Sequence, residues 1–295
     1  MINWNRLRGY LYMRKHGFID KHPMGASILM GLFLFILNEI IRSVLSTIHT
    51  MVFGSLPELM AIVYMFIGVA VSSLLYKWWF SPEFEGAFKG GNIKEGMLMN
   101  LWFIIYWIIA GIAMVIDKTF ELKPLTMQTL RACLAAGFVE EIAFRHGIVS
   151  TMLRNRNQKD QLIKVIVVSS LVFGLIHLSN IAAGADLLHT FSQVITSFCL
   201  GIFFAAVYVR SGNILPSIIL HTVHDIYAIC TSEAISETGI VTGGLSLSDH
   251  IDLLCCIALA ALAIVRFLNP EHREKIVRLW NHKWGKADSD TVEQK

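Results

Sequence analysis

Eight apolar runs, near 24–46, 59–80, 97–116, 128–151, 162–181, 188–209, 213–232 and 249–267, each approach the ~20 residues that an α-helix needs to cross the hydrocarbon core of a bilayer. In lipid every backbone N–H and C=O has to be paired within the protein, so runs of this length predict helices. Composition agrees: at 55% hydrophobic and 16% charged over 295 residues, the chain has too little polar sequence to cover a soluble globule. The fold class that follows is all-α, a polytopic membrane protein built as a bundle of about eight transmembrane helices. A single transmembrane domain is expected over 1–295, with a motif-bearing core at 128–232 and a basic cytoplasmic tail at 268–295. No repeat and no separate soluble domain stands out.

Charge sets the expected orientation. The first 22 residues carry five Lys or Arg, and no small-residue cleavage site follows the first apolar run, which therefore reads as a retained span. Lys and Arg recur at 77–96, 152–161, Arg210 and the tail from Arg266, but are missing at 47–58, 182–187 and 233–248. The positive-inside rule then puts both termini in the cytoplasm, with only Lys118 and Lys123 dissenting. A compact chain of this topology, with no retention signal, suits a bacterial-type plasma membrane, multi-pass. The net charge of +3 is explained by topology, so no nucleic-acid partner is expected. The five cysteines are scattered with no CxxC, implying neither a disulfide framework nor a zinc knuckle. Trp78, Trp79 and Phe80 suit an interfacial aromatic belt. The tail EHREKIVRLWNHKW reads either as an amphipathic helix on the membrane surface, with Ile276, Leu279 and Trp280 inward, or as a solvated tail.

Against this apolar background, Glu140 and Glu141 stand side by side in ACLAAGFVEEIAFRHGIV, with Arg145 four residues after Glu141. Ionisable groups at membrane depth are costly and mark functional sites by default. On a helix Glu141 and Arg145 share a face, while Glu140 points roughly 100° away, so one carboxylate can be held by the arginine and the other can face a site. His221 and Asp225 are also four apart, with His224 adjacent to the aspartate, and Phe173 and His177 repeat the spacing on another span. Three helices can thus aim Glu140, His177 and His221 at one point. Asp225 can fix the tautomer of an imidazole or polarise a carbonyl through a bound group. This set suits attack of water on an amide, with a glutamate as general base and histidines that orient the water or donate to a developing oxyanion. No serine or cysteine occupies a recognised nucleophile setting.

The order and context of these motifs resemble the CAAX-prenyl-protease and bacteriocin-processing family of intramembrane proteases, often called CPBP or Abi. The first motif, two glutamates and an arginine after three further residues, is Glu140-Glu141-Ile142-Ala143-Phe144-Arg145; the second is Phe173 and His177; the third is His221 and Asp225. The resemblance covers residues 137–227. It implies a bundle of about eight spans whose cavity opens toward membrane and cytoplasm, and an endopeptidase acting on a membrane-associated or lipid-modified protein or peptide. By similarity Glu140 activates water with help from His177, His221 and Asp225 take the oxyanion positions, and Glu141 and Arg145 support them. Aspartate stands at 225 where the better-studied eukaryotic-type members have asparagine, and an ionised carboxylate cannot donate a hydrogen bond. It would then act protonated or through His224.

No cofactor is expected. Two histidines and a glutamate match a zinc ligand count, in which case Glu140, His177 and His221 would be the ligands. Yet there is no HExxH, and the two histidines lie 44 residues apart. The expected partners are a peptide or protein substrate near the membrane and the lipid bilayer itself. The competing reading is a non-enzymatic or transport-like membrane protein that uses the polar cluster to bind a partner or ion.

Overall fold

The structure, a computed structural model, describes residues 17–155, 159–232 and 245–286. The helices are α1 (Pro23–Phe53), α2 (Glu58–Leu75), α3 (Ile93–Asn100), α4 (Trp102–Asp117), α5 (Met127–Ala135), α6 (Thr151–Asn155), α7 (Leu162–Ile176), α8 (Leu187–Ser211), α9 (Leu215–Thr231), α10 (Leu247–Leu262) and α11 (Pro270–Lys283). A wide π-helical segment, Ala136–Ser150, joins α5 to α6, and a 3-10 turn, His177–Ile181, extends α7. Among the described residues there is no β-strand, and an isolated antiparallel bridge joins Phe120 to Ser232. The protein is an all-α, multi-pass membrane protein.

Six helical stretches are long and apolar enough to span a bilayer: Pro23–Phe53, Glu58–Trp78, Ile93–Asp117, Leu162–Ile181, Leu187–Ser211 and Leu247–Phe267. The other two apolar runs, near 128–151 and 213–232, become the continuous helix from α5 through α6 and the 17-residue α9. Those two carry the glutamates, Arg145, His221 and Asp225, and the polar content that lowers their hydropathy is what they bury in the bundle. Their neighbours show outward apolar faces instead. Phe33, Ile36, Ile40, Val44 and Ile48 on α1, and Ile104, Ile105, Ile108 and Ile112 on α4, are exposed, which is how a lipid-facing stripe looks.

Local chemistry explains where the helices begin and end. Pro23 opens α1, and Gly54 at φ 81° closes it by donating its N–H to the Thr50 carbonyl. Asp186 caps α8 by accepting from the backbone of Leu188 and His189 at 2.9 and 3.0 Å. Ser246 and Asp249 form a reciprocal capping box at the start of α10. The central helix is α8, the most deeply buried of the six spans, which packs against α7, α9 and α10.

One end of the bundle is bound together by charge. Arg154 pairs with Glu83 at 3.2 Å, Arg210 with Glu95 at 2.7 Å, Lys283 with Glu85 at 3.6 Å, and Lys159 with Glu274. The tail helix α11 docks here, which differs from both expectations for it. Ile276 and Trp280 are buried against protein, and Trp280 donates to the Val209 carbonyl at 2.8 Å while its ring stacks on Phe84. The apolar face that a membrane-surface helix would give to lipid is taken up by the bundle. At the opposite end Lys123, which dissented from the charge pattern, donates to the Ser232 carbonyl at 2.6 Å and lies 3.8 Å from Glu121. Its charge is engaged locally. The basic residues before Gly17, Arg156, the loop near 233–244 and the tail beyond Lys286 lie outside the described residues, as does the side chain of Trp79.

Candidate active site

The site is assembled where the π segment, α7, α8 and α9 meet. Wide π turns inside a helix occur frequently at functional sites, and this one carries both glutamates and the arginine. Close approach is made possible by glycine. A Cβ on Gly137 would lie 2.0 Å from Thr222 Oγ1, and one on Gly201 would lie 3.0 Å from the Phe173 ring. The first contact seats α9 against the π segment and the second seats α7 against α8, as small residues do in membrane helix packing.

Glu141 is the buried half of the pair. Its Oε2 lies 3.3 Å from Arg145 Nε with both side chains fully buried, and accepts from Ser217 Oγ, while its Oε1 is 3.1 Å from His221 Nδ1. Arg145 also donates to the Gly201 carbonyl at 3.3 Å, and its guanidinium sits over the rings of Phe173 and Phe204 at 4.4 and 5.6 Å. Such stacking favours a desolvated arginine. Glu140 points the other way, as the sequence spacing predicts, and lines a cavity of about 380 Å³.

His221 is the hub. Facing an ionised carboxylate, its Nδ1 is the proton donor, and its Nε2 looks toward Glu140 at 3.9 Å and Asp225 at 3.7 Å. The imidazole stacks on Phe204 at 4.8 Å and meets the edge of Phe173 at 5.6 Å. His177 lines the same cavity from the far end of α7. No hydrogen bond joins it to Glu140 or His221 among the described residues; its ring meets Phe173 edge-on at 5.4 Å. Glu140 Oε2 and His177 Nε2 are both buried without a hydrogen-bond partner in the protein, so the two groups are free to act on something in the cavity.

Asp225 meets His221 at 3.7 Å, while His224 Nδ1 accepts from the Trp107 indole at 3.4 Å and packs against Phe103 and Tyr106. For the zinc alternative on Glu140, His177 and His221, the structure shows Phe173 meeting the rings of both histidines edge-on, at 5.4 and 5.6 Å. Among the described residues no group of three or more His, Cys, Asp or Glu is disposed to hold a metal ion. The cavity lining runs past His177 to Asn180, His189, Ser232, Ser248 and Asp249, at the bundle end opposite the basic one.

Several residues escaped the sequence reading. Ser217 lies one turn before His221, a spacing that was visible. Phe204, stacked on both His221 and Arg145, had no signal, being a phenylalanine on another apolar span. Tyr106, which donates to Asp252 Oδ1 at 2.6 Å beside the cavity, had none either.

No curated protein and no solved structure matches the chain. Residues 122–227 match the family described as type II CAAX prenyl endopeptidase, Rce1-like, and that stretch contains Glu140, Glu141, Arg145, Phe173, His177, His221, His224 and Asp225. Over residues 122–227 the chain is thus similar to the Rce1-like type II CAAX prenyl endopeptidases.

Proposed function

We propose that the protein is an endopeptidase that hydrolyses a peptide bond in a membrane-associated or lipid-modified protein or peptide, using Glu140 as the general base. One observation carries this reading: Glu140 Oε2 and His177 Nε2, both without a hydrogen-bond partner in the protein, line one cavity with His221. A water beside Glu140 gives its proton to the carboxylate as its oxygen attacks the amide carbon. The resulting oxyanion takes hydrogen bonds from His177 and from Nε2–H of His221, which acts as an imidazolium while its Nδ1–H is held by Glu141. Glu140 then passes the proton to the departing amide nitrogen, so the acid and base steps balance on one residue. Arg145 and Ser217 position this set from behind the cavity, and Phe173 and Phe204 form part of its wall. Asp225 orients His221.

In this reading 1–295 is one domain with its protease core at 128–232, in a bacterial-type plasma membrane with both termini cytoplasmic. The protein in detergent is incubated with a peptide library, and the cleaved products are identified by mass spectrometry alongside Glu140→Gln. Products formed by the native protein and absent with the variant support the reading; equal products overturn it.

A further inference from the structure

His224 has no part in the proposed chemistry, yet it lines the same cavity as Glu140, His177 and His221. The Trp107 indole lies 3.4 Å from its Nδ1. An indole N–H can only donate, so Nδ1 is the acceptor and the proton of the neutral imidazole sits on Nε2. No protein group among the described residues takes a hydrogen bond from Nε2, and protein does not shut that atom in. It therefore opens onto the cavity that the residue lines.

Three aromatic residues of α4 hold the ring in place. Besides the Trp107 bond, Phe103 meets it edge-on at 5.7 Å and Tyr106 lies against it at 5.6 Å. Two of the three are themselves anchored. Tyr106 donates to Asp252 Oδ1 at 2.6 Å; Trp107 stacks on Tyr227 at 5.8 Å and accepts from its hydroxyl, through the Trp107 carbonyl, at 2.7 Å. An imidazole that only tied α4 to α9 would bond its second nitrogen within the protein or bury it among apolar groups. Here a donor of set tautomer and set direction is left facing the cavity.

We infer that His224 is a substrate-binding residue, whose Nε2–H donates to a main-chain carbonyl one or two residues from the scissile bond. This rests on the protease reading and deepens it. His221 and His224 are three residues apart on α9, so they share a side of that helix and lie about 4.5 Å apart along its axis. An extended peptide advances about 3.3 Å per residue. With the scissile carbonyl beside His221 Nε2, a neighbouring carbonyl therefore comes within reach of His224. Main-chain carbonyls taken out of water need partners, because a hydrogen bond left unmade there is costly. A neutral donor meets that need whatever the side chain beside the carbonyl is.

The test uses the full chain purified in detergent and a quenched-fluorescent peptide that it cleaves in a Glu140-dependent way. The same peptide is made with one flanking carbonyl at a time changed to a thioamide, whose sulfur is a weak acceptor. His224→Phe keeps an aromatic ring without the donor, and His224→Gln has an amide that can accept from Trp107 and donate to the cavity. In the native protein one thioamide position should cost about tenfold in kcat/KM. His224→Phe should raise KM about tenfold on the parent peptide with kcat within about twofold, and lose nothing further on that thioamide; His224→Gln should recover part of the KM. A thioamide penalty kept in full by His224→Phe, or a loss confined to kcat, overturns the inference and leaves the protease reading standing. So does a thioamide series with no sensitive position in the native protein, whether or not the variants fold. Failure to cleave any peptide in a Glu140-dependent way overturns the protease reading, and this inference with it.

Discussion

Arg145→Ala separates structure from chemistry at this site. The Arg145–Glu141 pair is fully buried at 3.3 Å, where opposite unit charges at an effective dielectric of 20 attract by about 5 kcal/mol. Removing the arginine leaves the Glu141 carboxylate with only Ser217 and His221 as partners, and breaking a buried pair in this way costs about 3–5 kcal/mol. Lost stacking on Phe173 and Phe204 falls within the same deletion. At about 2–4 °C per kcal/mol for a chain of this size, the melting midpoint in detergent should drop by roughly 6–20 °C, with activity falling in parallel because Glu141 no longer holds His221. Glu141→Gln in the Arg145→Ala background should recover part of the loss, since the orphaned charge is then gone. An unchanged midpoint with activity alone abolished would refute this reasoning and put Arg145 against substrate.

Glu140→Gln and His177→Ala should each lower peptide cleavage by at least ~100-fold while the protein stays folded in the membrane, because each removes a group acting in the transition state; turnover near the native rate in either would overturn the assignment. Asp225→Asn should keep substantial activity, since the amide oxygen can still accept from His221; stoichiometric zinc in the native protein by elemental analysis, lost together with activity in this variant, would contradict the site described above. Gly137→Ala should destabilise the protein by about 1–3 kcal/mol through overpacking against Thr222, read as a lowered melting midpoint, and Thr222→Ser should not relieve it, because the overlap is with the oxygen. Trp280→Ala should free α11, measured as faster proteolysis at 268–286, since a fully buried indole that bonds Val209 is removed.

The membrane fold was legible in the sequence because its driving force is local. A run of about 20 apolar residues has to become a helix in lipid whatever its neighbours are, so all eight segments could be drawn from composition and length. The catalytic candidates were legible for the complementary reason: Glu140, Glu141, Arg145, His177, His221 and Asp225 are costly at membrane depth and stand out on apolar spans. Helical spacing also separated the roles of Glu140 and Glu141, since side-chain direction follows from backbone periodicity alone.

What the sequence could not supply was anything that depends on which helices touch. The seating of His221 between Glu141, Glu140 and Asp225, and the cover of Phe204 over His221 and Arg145, exist only once α8 and α9 pack on the π segment. The docking of α11 was hidden because an amphipathic stripe has the same pattern whether it meets lipid or protein; the loop around Phe84 and the end of α8 decided it. The acidic lining of the cavity is likewise tertiary: Asp249 and Asp252 read in the chain as a polar start to the last span, and they come beside Glu140 and Asp225 only because α10 packs along α4 and α8.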